Sequence, residues 1–487
     1  MKQIFKFIKV VVIVLFSTPT NAQSNSILKN CWEKQVRPLG NNYLTFSFSE
    51  KRNELEHSFK PWKESSYTST GLVWCNADNF MKSDSLLVRG KKYNSKIQLN
   101  KSTLLFLNYG HQQLSEITIN MYENQILNTI RYSPIYLINY FFRNEVFFSN
   151  ESSSDFTIYQ TTINEAIVKL HIRNSDNLLD KVTILSYDDL FGDVLNTFRY
   201  NDYSVAKELS YPKTIHIEKI NGKVRDEVKI SNLVKVIKKI PHLLEQPINY
   251  VLKEDTKIIP EIKVVKYSDN IHFIELKHTD DRVMVVEFSD FLLVAEAPLN
   301  SQNGELIISK AKAIAPNKPI KYFVFGHYHP HYLGGMRPFI HKGAKIICSK
   351  NNQEYVAYLA KAPHTLSPDS LQIEPKPLLT EEVKDSMTVT DGEFEMKIYF
   401  IGEKSQHTND YLIYYFPTEK LLFEDDLVKI AREGEVKKAS GRQVGLYNAI
   451  MELGLKIDVI IQSWPVKDYG LKTVIPFTDL EKSMNIE

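Results

Sequence analysis

The sequence predicts a two-part chain of mixed α/β class: a mostly antiparallel β-rich domain, then a layered α/β sandwich. Three observations carry that expectation. The chain has 487 residues, which at roughly 100–200 residues per domain gives two or three domains. Residues 23–250 show short period-2 alternations rich in β-branched and aromatic residues, the pattern of half-buried strands. From residue 262 strand-like runs alternate with segments whose apolar residues recur at helical spacing, as in sheets covered by helices. Apolar residues make up 43% and charged residues 24%, ordinary for a globular protein and unlike a disordered or polytopic membrane chain.

Residues 1–22, MKQIFKFIKVVVIVLFSTPTNA, read as a secretory signal peptide. Lys2, Lys6 and Lys9 precede the apolar run Val10–Phe16, and small residues flank a cut after Ala22. The run is too short to span a bilayer; an uncleaved anchor is the alternative. The expectation is a periplasmic or secreted protein starting near Gln23, with no transmembrane span after signal removal. The full chain has 60 basic and 58 acidic residues, and the mature chain 57 against 58. That balance disfavours nucleic acid as a partner. Cys31 follows Leu28-Lys29-Asn30 rather than the apolar core, unlike a lipid-attachment cysteine. Export permits disulfides, so Cys31 and Cys75 either pair or stay as two core thiols. Cys348 ends the apolar run Ala344–Cys348 and reads as core.

In the β-rich domain, 23–250, strands are expected at Ser95–Leu99, Gln113–Met121, Phe156–Thr162, Ala166–Ile172 and Val182–Tyr187. Further strands are expected at Tyr200–Tyr203, Tyr211–Lys219 and Glu227–Ile230, with Asn221-Gly222 as a hairpin turn. A helix is expected at Tyr132–Phe142. His57, His111, His171 and His216 are scattered and read as structural. The repeated strands and the closing pattern YPKTIHIEKING…EVKI resemble, faintly, the curved-sheet domains of periplasmic lipoprotein carriers. That likeness implies an apolar ligand.

Residues 231–257 look helical or irregular, and the connector is placed at 251–261. In 262–487, strands are expected at Ile271–Leu276, Val283–Phe288, Phe291–Ala295, Lys321–Phe325 and Ala344–Cys348. Others follow at Phe394–Ile401, Tyr411–Phe416, Lys420–Phe423 and Asp458–Ile461. Helices are expected at Gly304–Ile314, Gln353–Ala360 and Val444–Leu455.

The chemistry concentrates in Phe325-Gly-His327-Tyr-His329-Pro-His331-Tyr-Leu-Gly-Gly335. Neutral imidazole is a common zinc ligand. In extended chain, residues i and i+2 point the same way, so His327 and His329 can face one ion from a strand end. Gly334-Gly335 lets the backbone turn tightly afterwards.

This motif, with Gln406-His407-Thr-Asn-Asp410 and Leu422-Phe-Glu-Asp-Asp-Leu427 in the same order, resembles the metallo-β-lactamase family over about 262–475. The resemblance implies a four-layered αββα sandwich. It implies a first metal site of His327, His329 and His407, holding one zinc. The motif's Asp and His positions hold His331 and Tyr332, and no histidine follows His407. The last ligand position falls near Trp464. Of the second site only Asp426 remains, so His331 and Asp426 are the candidate catalytic residues. Asp425 reads as a solvated turn, whose replacement should leave the metal undisturbed. Glu296 at a strand end is expected to hydrogen-bond a ligand histidine, and Arg337 to pair with an acid inside the fold. His242, His272, His278, His341 and His364 fit no ligand spacing.

Two functions follow. One is a metal-dependent hydrolase of a small-molecule ester, lactone, thioester or lactam, with a water completing a tetrahedral one-zinc site. The other is an inactive binding protein whose N-terminal sheet holds an apolar ligand.

Overall fold

The computed structural model describes residues 20–55, 59–88, 90–100, 104–108, 113–115, 119–231, 234–238, 251–253 and 259–486. His57, His111, His242 and residues 1–19 of the expected signal segment lie outside these. The chain is strand-rich, with mixed α/β content and largely antiparallel sheets.

Two antiparallel runs build the large N-terminal sheet. Strands Tyr43–Glu54, Ser65–Cys75, Asn79–Val88, Lys91–Asn100 and Leu104–Asn108 pair in succession. So do Phe156–Ile163, Ala166–Arg173, Leu179–Asp188 and Gly192–Asn201. Thr214–Lys219 and Val224–Ile230 join the two runs, with Phe48 opposite Ile230. The expected hairpin forms: Asn221 and Gly222 take φ of 55° and 83° between them. Helices Thr20–Gln35, Ile119–Thr129 and Ile135–Arg143 pack on the sheet, where Leu28, Cys31, Ile126, Leu137 and Phe141 meet Phe46, Phe48, Val168, Leu170 and Ile215. Trp32 stacks on Phe142 at 4.4 Å and donates its indole N–H to Asn139.

Three expectations change here. Of Gln113–Met121, the described residues Gln113–Ser115 form a strand, and a helix has begun by Ile119. The helix expected at Tyr132–Phe142 starts later, at Ile135, with Pro134 at its N-cap, a residue that lacks the N–H a preceding turn would need. Val251–Lys253, assigned to the connector, pairs parallel with Gln113–Ser115. Cys31 and Cys75 are free, buried thiols, each pushed up to about 12 by burial. Cys348 is also free and buried.

The C-terminal half holds a seven-stranded sheet from Ile262–Lys266 to Thr380–Val383 and a six-stranded sheet from Ser386–Thr390 to Val474–Pro476. One apolar cluster joins Phe273, Met284, Leu293 and Val324 of the first sheet to Met396, Leu412, Tyr414 and Phe423 of the second. A second lies between the seven-stranded sheet and helices Ser301–Ile314, Arg337–His341 and Gln353–Lys361. A third lies between the six-stranded sheet and helices Gly441–Leu453 and Phe477–Met484. Asn300 caps the first of these helices by accepting from the Asn303 N–H, and a Ser440/Gln443 capping box starts Gly441–Leu453, each satisfying backbone donors the helix leaves open.

The two halves touch. Phe191 and Val194 belong to the same cluster as Phe323 and Tyr355. The Asp193 carboxylate accepts from the backbone and hydroxyl of Thr365 and from the Leu366 N–H. Among the described residues no helix is long and apolar enough to cross a membrane.

Candidate metal centre

Ile320–Val324 is an inner strand, flanked in parallel by Leu292–Ala295 and Lys345–Ser349. It ends before the histidines. Residues 325–329 form a loop, and His329 precedes the short helix Pro330–Leu333. The alternation expected of an extended segment therefore does not aim the two rings; hydrogen bonds to the loop do. The Tyr328 N–H donates to Asp410 at 2.8 Å, the Leu412 N–H to the Gly326 carbonyl at 2.7 Å, and the Gly326 N–H to Glu296 at 3.0 Å.

The His407 loop is set by Ser405, whose hydroxyl accepts from the His407 and Thr408 N–H groups. Gln406 beside it takes a left-handed φ of 52°. Gly334 has an ordinary helical backbone, φ −58°, so it does not supply the tight turn expected of it. It is glycine because a Cβ there would lie 2.5 Å from the Leu299 backbone.

The three expected ligands come together. His327, His329 and His407 each offer one nitrogen, and these lie within 4.8 Å of one another. His327 Nε2 and His329 Nδ1 are 3.0 Å apart. Among the described residues this is the one His/Cys/Asp/Glu group with such spacing. His327 and His329 are buried. The other nitrogen of His327, Nδ1, lies 2.6 Å from Asp425 Oδ2. A carboxylate there holds the proton on Nδ1 and leaves the Nε2 lone pair directed at the cluster, as carboxylate–histidine–metal arrangements do. The donor set thus fits one ion of the kind imidazole binds.

Asp425 is the main correction at the site. Expected as a solvated turn, it is fully buried. Gly326 makes room for it: a Cβ at that position would lie 2.2 Å from Asp425 Oδ2. Glu296, expected to bond a ligand histidine directly, stands one residue further back. It accepts from the Gly326 N–H and, at 2.8 Å, from the Tyr414 hydroxyl. Its φ of 76° is strained for a non-glycine residue. Burial pushes the Glu296 carboxyl up to about 8, and burial together with Glu296 raises Asp425 well above the ordinary carboxylate range, a shift that the positive charge of an ion held by the triad would oppose, keeping Asp425 ionised as the acceptor from His327 Nδ1.

Neither expected catalytic residue belongs to the triad, and of the two Asp426 contacts it. His331 is outside it; its Nδ1 lies 3.0 and 3.1 Å from the two oxygens of the buried Asp281. Asp426 Oδ2 is 3.5 Å from His407 Nε2 and 2.8 Å from Arg442 Nη1. Tyr332 packs beside His327, ring centroids 4.4 Å apart, and burial raises its phenol well above 10. The Trp464 N–H donates to the Asp425 carbonyl. Arg337 pairs with Asp369 at 2.5 Å and donates to the carbonyls of Leu359, Ala360 and Ala362.

Asp281, Asp410, Tyr411 and Arg442 were not singled out from the sequence. Tyr411 donates to Glu424 and accepts from the Asp425 and Asp426 N–H groups. Asp410 and Tyr411 lie beside the His407 pattern, which was the available signal. Asp281 and Arg442 carry no local motif. Beside His329 a cavity of about 690 Å³ opens between the two halves of the chain.

No protein-family model and no curated protein matches the chain. Among solved structures it is similar to a metallo-β-lactamase from Pontibacter korlensis, at 18% identity and a TM-score of 0.34, over 46% of this chain and 97% of that one. It is similar to the FIM-1 metallo-β-lactamase from Pseudomonas aeruginosa in its mono-zinc form, at 14% identity and 0.34, over 47% and 95%. A flavo di-iron protein from Thermotoga maritima gives 13% identity and 0.33, over 46% and 61%.

Proposed function

We propose that the chain is an exported, one-zinc hydrolase with a four-layered metallo-β-lactamase-like C-terminal half, acting on an ester, lactone, thioester or lactam. The observation that carries this reading is the triad: three imidazole nitrogens within 4.8 Å, with Asp425 on the far nitrogen of His327. The face-to-face sheets, each with helices on its outer side, support the layered fold. A zinc ion held by His327, His329 and His407 would lower the pKa of its water and polarise a carbonyl oxygen.

The chain's own residues do the rest. Asp425 keeps the proton on His327 Nδ1, and Glu296, bonded to the Gly326 N–H and the Tyr414 hydroxyl, holds the loop that carries His327. Arg442 compensates the charge of Asp426 beside His407. His331, oriented by Asp281, handles the proton of the attacking water in this reading. The competing reading places an apolar ligand on the N-terminal sheet, but the chain's own helices cover the face that holds Phe46, Val168 and Ile215.

The test is a screen of acetyl and octanoyl esters, lactones, thioesters and β-lactams with the zinc-loaded full chain. Turnover that His327→Ala abolishes supports the reading. Turnover unaffected by that change, or none with any substrate, contradicts it.

A further inference from the structure

The cavity beside His329 is built largely by the N-terminal half. That half contributes Leu55, Trp62, Leu190, Phe191 and Ile220, and Tyr355 comes from the other. Its volume, about 690 Å³, falls in the range of small-molecule sites. Trp62 is held in place at a conformational cost. Its φ is 63°, a left-handed backbone unfavourable for a bulky side chain. Its ring meets Tyr355 and Tyr358 edge-on at 5.0 and 4.8 Å, and the Lys223 ammonium sits 4.6 Å above it. Most charged groups on the walls are bonded within the protein. Lys219 donates to the Asn53 carbonyl and pairs with Asp226 at 2.9 Å. Asp188 accepts from the Leu190 and Phe191 N–H groups. Glu54 pairs with Arg52, and Asp189 is exposed to solvent. What the walls offer a ligand next to the triad is mainly aromatic and aliphatic surface.

We propose that this cavity receives an uncharged apolar group attached to the scissile carbonyl, and that Trp62 and Phe191 set the preference for it. The proposal rests on the triad being a hydrolytic metal centre, and it makes the N-terminal half a substrate-binding element. Burying an eight-carbon chain against such walls favours it over a two-carbon one by several methylene contributions.

Two measurements on the zinc-loaded full chain separate this from the hydrolase reading. The first is calorimetric titration with octanamide, a neutral probe, and with acetamide. Octanamide should bind far more tightly than acetamide. Trp62→Ala, which removes a wall, and Leu55→Trp, which fills the space, should each weaken octanamide at least tenfold with zinc content unchanged. The second is kcat/KM for 4-nitrophenyl octanoate relative to acetate, a ratio that should exceed ten and fall at least tenfold in Leu55→Trp. Octanamide binding without turnover of either ester or of any lactone, thioester or lactam in the screen would keep the cavity assignment and remove the hydrolase reading. No octanamide binding, or binding that neither variant alters, would overturn the proposal.

Discussion

At the residue scale the site depends on Asp425 as much as on the histidines. His327 and His329 were legible from their His-x-His spacing after a strand, and His407 only through the family resemblance of its motif. Asp425 was not, because two adjacent carboxylates look alike in sequence and only burial separates them. Asp425 is enclosed against His327, while Asp426 reaches Arg442. Replacing Asp425 should therefore disturb the metal. Removing a carboxylate that orients a ligand histidine typically lowers metal affinity 10–100-fold. Asp425→Ala is expected to weaken zinc by about that factor, read by competition with a chromophoric chelator. An unchanged affinity would return Asp425 to a bystander's role. Gly326→Ala should act through the same contact, since its Cβ would crowd Asp425 Oδ2. Lowered zinc affinity together with a lowered Tm is the expected result, and wild-type values for both would refute the contact.

At the element scale, most strands and helices of the C-terminal half follow the apolar periodicity. Ile271–Leu276 forms as expected, and Gln353–Lys361 extends the expected helix by one residue. The misreadings arise where local pattern and tertiary context disagree. Gln113–Met121 alternates like a strand, yet its second part lies at the start of a helix that packs Ile126 into the core. The histidine segment reads as strand-like but is a loop fixed by Asp410 and Glu296, partners far away in sequence. Arg337 anchors another loop through Asp369, whose carboxyl also accepts from Ser301 and from the Gln372 N–H. Burial opposes ionisation of Asp369, but these donors prevail and hold it down at about 2, against 3.8 unperturbed. Because the folded value is the lower one, the contribution to stability is complete above about pH 4 and is lost as the pH falls through 2. Its size is on the order of 2 kcal/mol. Asp369→Asn should lower stability at pH 7 by about that amount and less at pH 2.5, measured by urea unfolding. An equal loss at both pH values would show that the ion pair is not the cause.

At the scale of the whole molecule, the change from strand-rich to alternating pattern marks where the large sheet gives way to the two smaller ones. The contact between the halves was not legible, because neither Phe191 nor Asp193 carries any local sign that its partners lie far along the chain. The contact combines the apolar cluster around Phe191 with the Asp193 bonds to Thr365 and Leu366. Proteolysis within 231–262 should then give nicked protein whose two fragments elute together by size exclusion and keep zinc. Fragments that separate without denaturant would show the contact to be weak and would leave the cavity without its N-terminal wall.

The measurement that tests the central claim most directly is the metal content of the purified full chain by elemental analysis. The account predicts one zinc per chain, lost in His327→Ala and in His407→Ala. His331 is engaged by Asp281 and Tyr332 is a buried phenol beside His327, so in the proposed reading too few ligands remain near Asp426 for a second ion. Two tightly held ions per chain, or none after incubation with excess zinc, would contradict it.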